Sequence, residues 1–237
     1  MSIFLKANWE NIVMANYEIA PDILSKYIPQ GVTLDLYDGK AYISLVGFMF
    51  KNTKIFNVPI YKFGTFEEIN LRFYVSRKVG NITKRGVVFI NETVPYKAVA
   101  WLANALYKEH YTTIPTKHHW DFSKKNKEIK YEWLVDKKWN SIVLSACKEK
   151  KAMTKNSFES FIFEHYYGYT KYSETSTEEY QIAHPSWLVN EILDYKIDCH
   201  FEKMYGKGFA VLDKTKPTSV FLAEGSTVEI NWKRTKI

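Results

Sequence analysis

A chain of 237 residues with 46% hydrophobic and 16% aromatic residues is long enough to form one large folded domain. Its 10 glycines and 7 prolines exclude a collagen-like or low-complexity protein, and its two cysteines, Cys147 and Cys199, form neither a zinc motif nor a disulfide framework. The formal net charge of +7 is compatible with nucleic acid, but the lysines concentrate in predicted connecting segments without a recognition motif, so we expect no nucleic-acid partner.

The N-terminal segment lacks a basic stretch followed by an apolar core and a cleavage site. No run approaches the roughly 18 apolar residues that a transmembrane helix requires. We therefore expect a cytoplasmic protein without a membrane partner. A homo-oligomer is compatible with the sequence. No linker divides the chain, so residues 1–237 are predicted to form a single domain.

The first predicted elements are strands separated by one short helix. A strand over residues 11–19 precedes a helix that begins at Pro21, because proline at the first helical position loses no hydrogen bond. Asp38 and Gly39 both tolerate positive φ and predict a two-residue hairpin turn. The second arm, residues 40–50, is apolar nearly throughout and is predicted to be a central strand.

Residues 66–75 alternate strictly and predict a strand with two unlike faces. The apolar face carries Ile69, Leu71, Phe73 and Val75. The polar face carries Glu68, Asn70, Arg72 and Tyr74. Because alternate strand residues lie roughly 7 Å apart, Glu68 and Arg72 are about 13 Å apart and cannot pair with each other. The polar face could meet solvent, be paired by charges of neighbouring strands, or line a pocket.

The rest of the chain is predicted to contain one long helix and several further strands. A strand over residues 85–90 precedes the helix, residues 94–109, with Thr93 as its cap and Pro95 at its start. Apolar residues recur at helical spacing at Ala98, Trp101, Leu102 and Ala105. A short helix is predicted over residues 184–193. Further strands are predicted over residues 129–135, 141–147, 158–169, 179–183, 195–202, 219–222 and 227–232. These elements predict a β-rich fold.

Four motifs carry a family resemblance. They are Phe66-x-Glu68-x-Asn70-x-Arg72-x-Tyr74-Val75, Phe161-x-x-Glu164-x-Tyr166-x-x-Tyr169, His184-Pro185-x-Trp187 and Gly225-x-x-Val228-Glu229-Ile230. With Trp9 and the Ile28-Pro29-x-Gly31 signal before them, they resemble the DUF2071 (YqjF-like) family of proteins of unknown function over almost the whole chain. That family resembles the acetoacetate decarboxylase-like superfamily, which implies an α+β fold with an antiparallel β-barrel or cone, an internal pocket and one main helix.

The superfamily resemblance also implies candidate catalytic residues. In the decarboxylases a pocket glutamate lies on the strand that Glu68 matches, and a reactive lysine follows a proline after the helix. The matching stretch here is Ile114-Pro115-Thr116-Lys117-His118-His119, in which Thr116 takes the nucleophile's place and Lys117 that of its lysine neighbour. Lys117 is thus either a nucleophile or a surface lysine. Residues 221–223, Phe-Leu-Ala, replace a more polar His-Tyr-Ser, which implies a more apolar pocket if this stretch lines it.

A closed barrel directs one side-chain parity of every strand inward, so the polar faces could converge on one cavity. The predicted ligand-binding residues are Asn70, Arg72, Tyr74, Glu164, Tyr166 and His184. Arg72 would hold a carboxylate or phosphate bidentately, and a desolvated carboxylate at Glu68 could act as acid or base. Glu68 and, by the superfamily resemblance, Lys117 are the predicted catalytic residues. His184, before a proline, is interpreted as a packed, hydrogen-bonded residue at a strand end rather than a base, and the family resemblance implies that it borders the pocket.

We expect a protein that binds a small anionic or carbonyl-bearing molecule in this pocket. The alternative is a lyase- or hydrolase-like enzyme in which Glu68 transfers protons and Arg72 orients a carboxylate, without a Schiff-base lysine. No phosphate loop, nucleophile elbow or dinucleotide fingerprint occurs, so no cofactor is predicted. No metal is predicted either, since the adjacent His118 and His119 would point to opposite sides of a strand without a third ligand.

Overall fold

A computed structural model describes residues 3–107 and 110–237, and these residues form a strand-rich fold. Their strands are β1 (Ile3–Ile19), β2 (Thr33–Leu34), β3 (Ala41–Ile55), β4 (Val58–Pro59), β5 (Phe66–Val79), β6 (Ile82–Val94), β7 (Tyr111–Thr113), β8 (Thr116–Asp121), β9 (Lys127–Val135), β10 (Lys138–Ala152), β11 (Tyr167–Ser173), β12 (Ser176–Ala183), β13 (Leu188–Asp198), β14 (Ser219–Asn231) and β15 (Thr235–Lys236). The α-helices are α1 (Pro21–Leu24), α2 (Lys97–Tyr107), α3 (Phe158–Phe163) and α4 (Phe201–Tyr205). Two 3-10 helices cover Ser25–Tyr27 and Lys207–Lys214. None of the helices in the described ranges is long and apolar enough to cross a membrane.

Seven strands of the sheet close into a ring. Their order is β14, β1, β3, β5, β6, β11 and β12, and a short pairing of β12 with β14 completes the circle. At that closing point Ile182 lies opposite Ile230. Neighbouring strands run antiparallel except β11 and β6, which are parallel. The ring has no open edge between these strands, so backbone encloses its interior around the whole circumference.

The remaining long strands cover the outside of the ring. Beyond β14 the sheet continues through β13, β10, β9 and β8 and folds back over β1, β3 and β5. Tyr131 of β9 packs against Gly47 and donates its hydroxyl to the Asn11 carbonyl at 2.9 Å. Thr116 of β8 donates its hydroxyl to Glu67 of β5 at 2.7 Å. The shared strands β1, β3 and β5 therefore separate two interiors.

Both faces of β5 are buried, each in a different interior. The side chains of Ile69, Leu71 and Phe73 are fully buried in the outer hydrophobic core, between the ring and the covering strands. On the opposite face Glu68 is 3% exposed and Asn70 is 1% exposed, inside the ring. Of the three arrangements left open by the sequence, exposure of the polar face to solvent is thus excluded.

Several local predictions are confirmed. Asp38 and Gly39 have φ values of 49° and 74°, and Tyr37 pairs with Lys40 across them, as a two-residue hairpin turn requires. Pro21 begins α1, and the 3-10 turn over Ser25–Tyr27 extends this helix. The strand predicted over residues 11–19 is present but begins at Ile3.

The prediction of one strand over residues 158–169 is wrong in its first half. Residues Phe158–Phe163 form α3, and the strand begins only at Tyr167. Ser157 caps this helix, since its hydroxyl accepts a hydrogen bond from the Ser160 amide at 3.1 Å. Phe161, Ile162 and Phe163 are all buried, so tertiary packing holds as a helix a segment whose aromatic content resembles that of a strand.

Two further predictions near the C-terminus are also wrong. The short helix predicted over residues 184–193 is absent, and β13 occupies most of that range. The two strands predicted over residues 219–222 and 227–232 are one strand, β14. Gly225 does not interrupt it: with φ of +83° it approaches the Trp9 carbonyl so closely that a Cβ atom would lie 1.9 Å from the oxygen.

The predicted long helix is present as α2 but is shorter and oriented differently. It begins at Lys97, and the predicted residues 108–109 lie outside the described ranges. Thr93 belongs to β6 and does not cap the helix. Of the predicted apolar stripe, Ala98, Trp101 and Ala105 are exposed, and Leu102 is partly buried. The helix instead directs Val99, Leu102 and Ala103 toward the ring interior.

Candidate functional site

An internal cavity of about 100 Å³ lies inside the ring beneath α2. Most of its wall is apolar and includes the rings of Trp9, Phe48, Phe50, Phe66 and Phe89. Ring centroids lie 4.8 Å apart both for Trp9 and Phe48 and for Phe50 and Phe66. The polar residues of the wall are Thr53, Glu68, Asn70, Arg72, Glu92, Tyr111 and Tyr180. A small set of polar groups in an apolar cavity is the usual composition of a small-molecule site.

Among the described residues, the neutral side chains of Asn70 and Tyr111 hold Glu68 in place. The Asn70 amide nitrogen donates to Glu68 Oε1 at 3.0 Å, and the Tyr111 hydroxyl donates to Glu68 Oε2 at 3.2 Å. Burial, followed by the nearby carboxylates of Glu68 and Glu92, raises the pKa of Tyr111 well above its usual value. Tyr111 therefore remains a neutral hydrogen-bond donor at any physiological pH.

Arg72 lies further along β5 and is held less tightly. Its Nη2 lies 3.7 Å from the sulfur of Met14, and its buried Nε has no hydrogen-bond partner. No carboxylate forms an ion pair with Arg72 within residues 3–107 and 110–237. A guanidinium group with unused donors at the wall of an apolar cavity can accept an anionic ligand.

Tyr74, the next residue of the same parity, lies beyond the cavity wall. Its hydroxyl shares a 2.5 Å hydrogen bond with Ser44, which in turn donates to Asn16 at 2.6 Å. Its ring packs against His165, with centroids 4.7 Å apart. Burial raises the pKa of Tyr74, although Arg72 and Ser44 oppose this effect. The structure thus places Tyr74 in a buried hydrogen-bond network behind Arg72.

The other predicted ligand-binding residues form a separate cluster. Tyr166 donates its hydroxyl to Glu164, and Ser186 donates to the second oxygen of Glu164 at 2.7 Å. The His184 ring stacks on Trp187 at 4.0 Å and packs against Tyr166 at 4.7 Å. Glu164 and Tyr166 do not share a strand as predicted, because both precede β11. None of Glu164, Tyr166 and His184 lines the cavity.

Lys117 also lies outside the cavity. Its side chain is 49% exposed, its Nζ lies 3.5 Å from a Glu132 oxygen, and it covers the Trp139 ring at 4.1 Å. Along β8 the adjacent residues Thr116 and His118 point the other way, toward Glu67 on the outer face of β5. The structure therefore does not bring Lys117 together with Glu68, and no lysine occurs among the described residues of the cavity wall.

The two adjacent histidines point to opposite sides of β8, as alternation requires. His118 Nδ1 lies 2.5 Å from Glu67 Oε1, whereas His119 borders a shallow surface depression. Within the described ranges no three side chains of His, Cys, Asp or Glu are grouped closely enough to hold a metal ion. The donor sets near these histidines thus provide no metal site.

Sequence reasoning missed four polar residues of the wall: Thr53, Glu92, Tyr111 and Tyr180. Glu92 lies opposite Asn70 in the β5–β6 pairing, but the predicted strand ended at residue 90. The register shifts between Leu71 and Arg72, so simple alternation along β6 does not identify which residues face inward. Alternation continued from Phe89, which lines the cavity, would place Glu92 on the outer face, so extending the predicted strand would not have found it.

Comparison with solved structures defines the class of fold. An acetoacetate decarboxylase-like enzyme from Sphingomonas wittichii RW1 superposes with a TM-score of 0.65 at 10% identity, covering 100% of this chain and 94% of that one. The enduracididine biosynthesis enzyme MppR complexed with pyruvate superposes with a TM-score of 0.64 at 8% identity, covering 100% and 91%. The fold is therefore acetoacetate decarboxylase-like, as predicted; at these identities the similarity concerns the fold alone.

Residues 6–227 match the family model of DUF2071, described as an uncharacterized conserved protein. The chain belongs to the DUF2071 family, which confirms the resemblance seen in the sequence motifs. The protein YqjF of Bacillus subtilis (strain 168) is 31% identical over 88 residues, or 37% of this chain. The alignment spans 35% of the length of YqjF, so the chain matches about a third of that curated relative.

Proposed function

We propose that the internal cavity binds a small molecule that carries a carboxylate, with Arg72 as the anchor for that group. The observation that carries this proposal is the position of Arg72 in the apolar wall, without an ion-paired carboxylate in the described ranges. A charged group that leaves water gains back free energy only through charged or hydrogen-bonding partners. A ligand carboxylate would supply two acceptor oxygens to the Arg72 guanidinium.

The cavity dimensions limit the size of the ligand. A dry cavity of about 150 Å³ in another protein accommodates benzene, so about 100 Å³ suits an acid of only a few carbon atoms. The aromatic rings of the wall would enclose the uncharged end of the ligand and select its shape. A pyruvate complex is known for MppR, which shares this fold, and this makes a small keto acid the first compound to test.

The first experiment compares carboxylate binding by the wild type and by Arg72→Gln. We expect pyruvate or acetoacetate to bind the wild type, and the variant to bind it about tenfold to hundredfold more weakly, since hydrogen bonds to charged groups contribute roughly 1.5–3 kcal/mol. A thermal-shift titration followed by calorimetry measures this difference. At a hundredfold excess over its dissociation constant, the ligand should stabilise the wild type by about 2.7 kcal/mol.

Arg77→Gln is the matched control. Arg77 lies on the same strand, carries the same charge and pairs with Glu179 at 2.9 Å, but it does not line the cavity. This variant should bind the acid like the wild type, and the methyl ester of the acid should bind the wild type and Arg72→Gln equally. Equal affinity of the wild type and Arg72→Gln for every carboxylate tested would contradict the proposal.

A second candidate function, enzymatic proton transfer, is favoured by the surroundings of Glu68. This carboxylate is almost completely buried, faces the same cavity as Arg72 and is oriented by Asn70 and Tyr111. A carboxylate held in this way can move a proton to or from a ligand carbon or oxygen, while Arg72 orients the ligand carboxylate. This chemistry needs no lysine of the cavity wall.

Glu68→Gln separates the two functions. If the protein is an enzyme, turnover of a keto acid that binds should fall by about a hundredfold or more in Glu68→Gln, while its dissociation constant changes little, because the amide cannot accept the proton. Product formation is followed by nuclear magnetic resonance during extended incubation. Turnover that persists unchanged in Glu68→Gln would exclude Glu68 as the acid or base.

A further inference from the structure

A second concave surface, which we call the lysine groove, lies outside the ring. It is lined by residues of β1, β3 and the segment between β3 and β5, among them Lys6, Asn8, Asn52, Lys54, Lys62 and Thr65. Its volume of about 720 Å³ greatly exceeds that of the internal cavity. The groove can therefore hold a larger and more polar group than the cavity can.

The lysine groove is positively charged. Within the described ranges its lining contains three lysines and no aspartate or glutamate. Lys6 is paired with Glu229 at 2.6 Å, whereas neither Lys54 nor Lys62 has an ion pair within the part of the chain that the structure describes. The side chains of Asn8, Asn52 and Thr65 add uncharged donors. These groups suit an anion with several oxygen atoms.

The groove and the internal cavity share part of their walls. Thr53 and Ile60 line both of them. The Thr53 hydroxyl donates to the Gly64 carbonyl at 3.0 Å, and the Ile60 amide donates to the Thr53 carbonyl at 3.0 Å. Thr53 and Ile60 thus form a partition between the positively charged groove and the apolar cavity. A ligand that passes this partition could contact both.

We propose that the lysine groove binds the phosphoryl group of a ligand whose small end enters the internal cavity. Entry of that small end into the cavity rests on the proposed function. Lysine ammonium groups bind phosphate as point charges, without the planar geometry that arginine requires. A phosphate ester or diphosphate carries more charge and more oxygens than a carboxylate, which matches the three lysines and the volume. The ligand class is a phosphate ester joined to a small carboxylate or carbonyl group.

The test measures binding of inorganic pyrophosphate by isothermal titration calorimetry at low ionic strength. We expect the wild type to bind it, and the double variant Lys54→Gln/Lys62→Gln to bind it at least tenfold more weakly. The control Lys214→Gln/Lys216→Gln loses the same charge from exposed positions outside the groove and should bind like the wild type. No binding by the wild type, or an equal loss in both double variants, would overturn the proposal.

Two variants keep the test of this proposal separate from the test of the proposed function. Arg72→Gln should lose binding of pyruvate and retain binding of pyrophosphate. The double variant Lys54→Gln/Lys62→Gln, here called the lysine-groove variant, should lose binding of pyrophosphate and retain binding of pyruvate. A coenzyme A thioester of a short dicarboxylic acid serves as the joined probe. Its displacement by both pyruvate and pyrophosphate supports one continuous ligand site. Displacement by pyrophosphate alone overturns the joined ligand and leaves the groove as an independent phosphate site.

A lipid headgroup and a soluble ester offer the same phosphoryl chemistry, and sedimentation with vesicles distinguishes them. Vesicles that contain phosphatidic acid should retain the wild type, and not Lys54→Gln/Lys62→Gln, if the phosphoryl group belongs to a lipid. If the wild type does not sediment with the vesicles but binds soluble pyrophosphate through Lys54 and Lys62, the result supports a soluble ester. Equal sedimentation of the wild type and the lysine-groove variant overturns the lipid source.

Discussion

His165 is a buried histidine whose neutral form is favoured by its burial. Its side chain is 1% exposed, and its Nε2 lies 3.1 Å from a carboxylate oxygen of Asp35, which also accepts from Arg85 at 2.6 Å. Burial lowers the pKa of His165 to about 4, although the hydrogen bond with Asp35 acts in the opposite direction. Asp35 has a lowered pKa because its bonds to His165 and Arg85 outweigh its burial.

This lowered pKa gives the free energy of unfolding a defined pH dependence. The unfolded chain protonates His165 near its ordinary pKa of 6.5, whereas the folded protein does so only near 4. The unfolded state therefore binds more protons between these values, so the full stability is present above pH 6.5 and decreases as the pH falls toward 4. The difference in pKa corresponds to a loss on the order of 3 kcal/mol.

Urea unfolding at pH 7.5 and at pH 4.5 checks this prediction. We expect His165→Asn to lose less stability than the wild type between the two pH values, because it removes the titrating group. His119→Asn replaces an exposed histidine and should keep the wild-type dependence. An identical change in unfolding free energy for the wild type and His165→Asn would show that other groups cause the acid sensitivity.

The strand β5 and the helix α3 show which elements could be predicted from the sequence. In β5 alternate residues face two interiors of different polarity. The two-residue period is therefore visible in the sequence without knowing which strands pair with β5. In α3 the aromatic residues Phe158 and Phe161 suggested a strand, and only the Ser157 cap and the packing of three buried residues define a helix. Aromatic content is therefore a weak indicator of a strand where tertiary contacts determine the secondary structure.

Within the β11–β12 pair, Gly168 leaves room for a ring of the cavity wall. It lies opposite Tyr180, and a Cβ atom at Gly168 would lie 2.1 Å from the Tyr180 ring. Gly168→Ala should therefore displace this ring, lower the free energy of unfolding by about 1–3 kcal/mol and weaken ligand binding, because Tyr180 lines the cavity.

Chemical denaturation and the pyruvate titration measure these two effects. Gly208→Ala is the matched control, because its nearest neighbour, Ile23, lies at an ordinary contact distance of 3.8 Å. Wild-type stability of Gly168→Ala would mean that the Tyr180 ring can move aside without cost, and the close packing of this pair would then have no part in shaping the cavity.

At the level of the whole molecule, the closure of the ring set the limit of prediction. Local periodicity identifies a strand but not its partners, and the pairing of β12 with β14 joins Ile182 to Ile230. Glu68, Asn70 and Arg72 were predicted correctly to lie on one face, yet only the tertiary fold determines that Tyr180 of β12 and Tyr111 of β7 join them and that Lys117 does not. The family motifs gave the fold class; the composition of the site required the three-dimensional arrangement.

The two buried faces of β5 have a consequence for protein engineering. Even-numbered positions from Glu68 to Arg72 face the cavity, and odd-numbered positions from Ile69 to Phe73 fill the outer core. A substitution library for a new ligand can therefore vary the even positions and leave the odd ones unchanged. The insertion of a single residue in this strand would exchange the two sets, placing charged groups in the core. Indels in β5 should accordingly be excluded from such a library, whereas point changes at every second position are compatible with the fold.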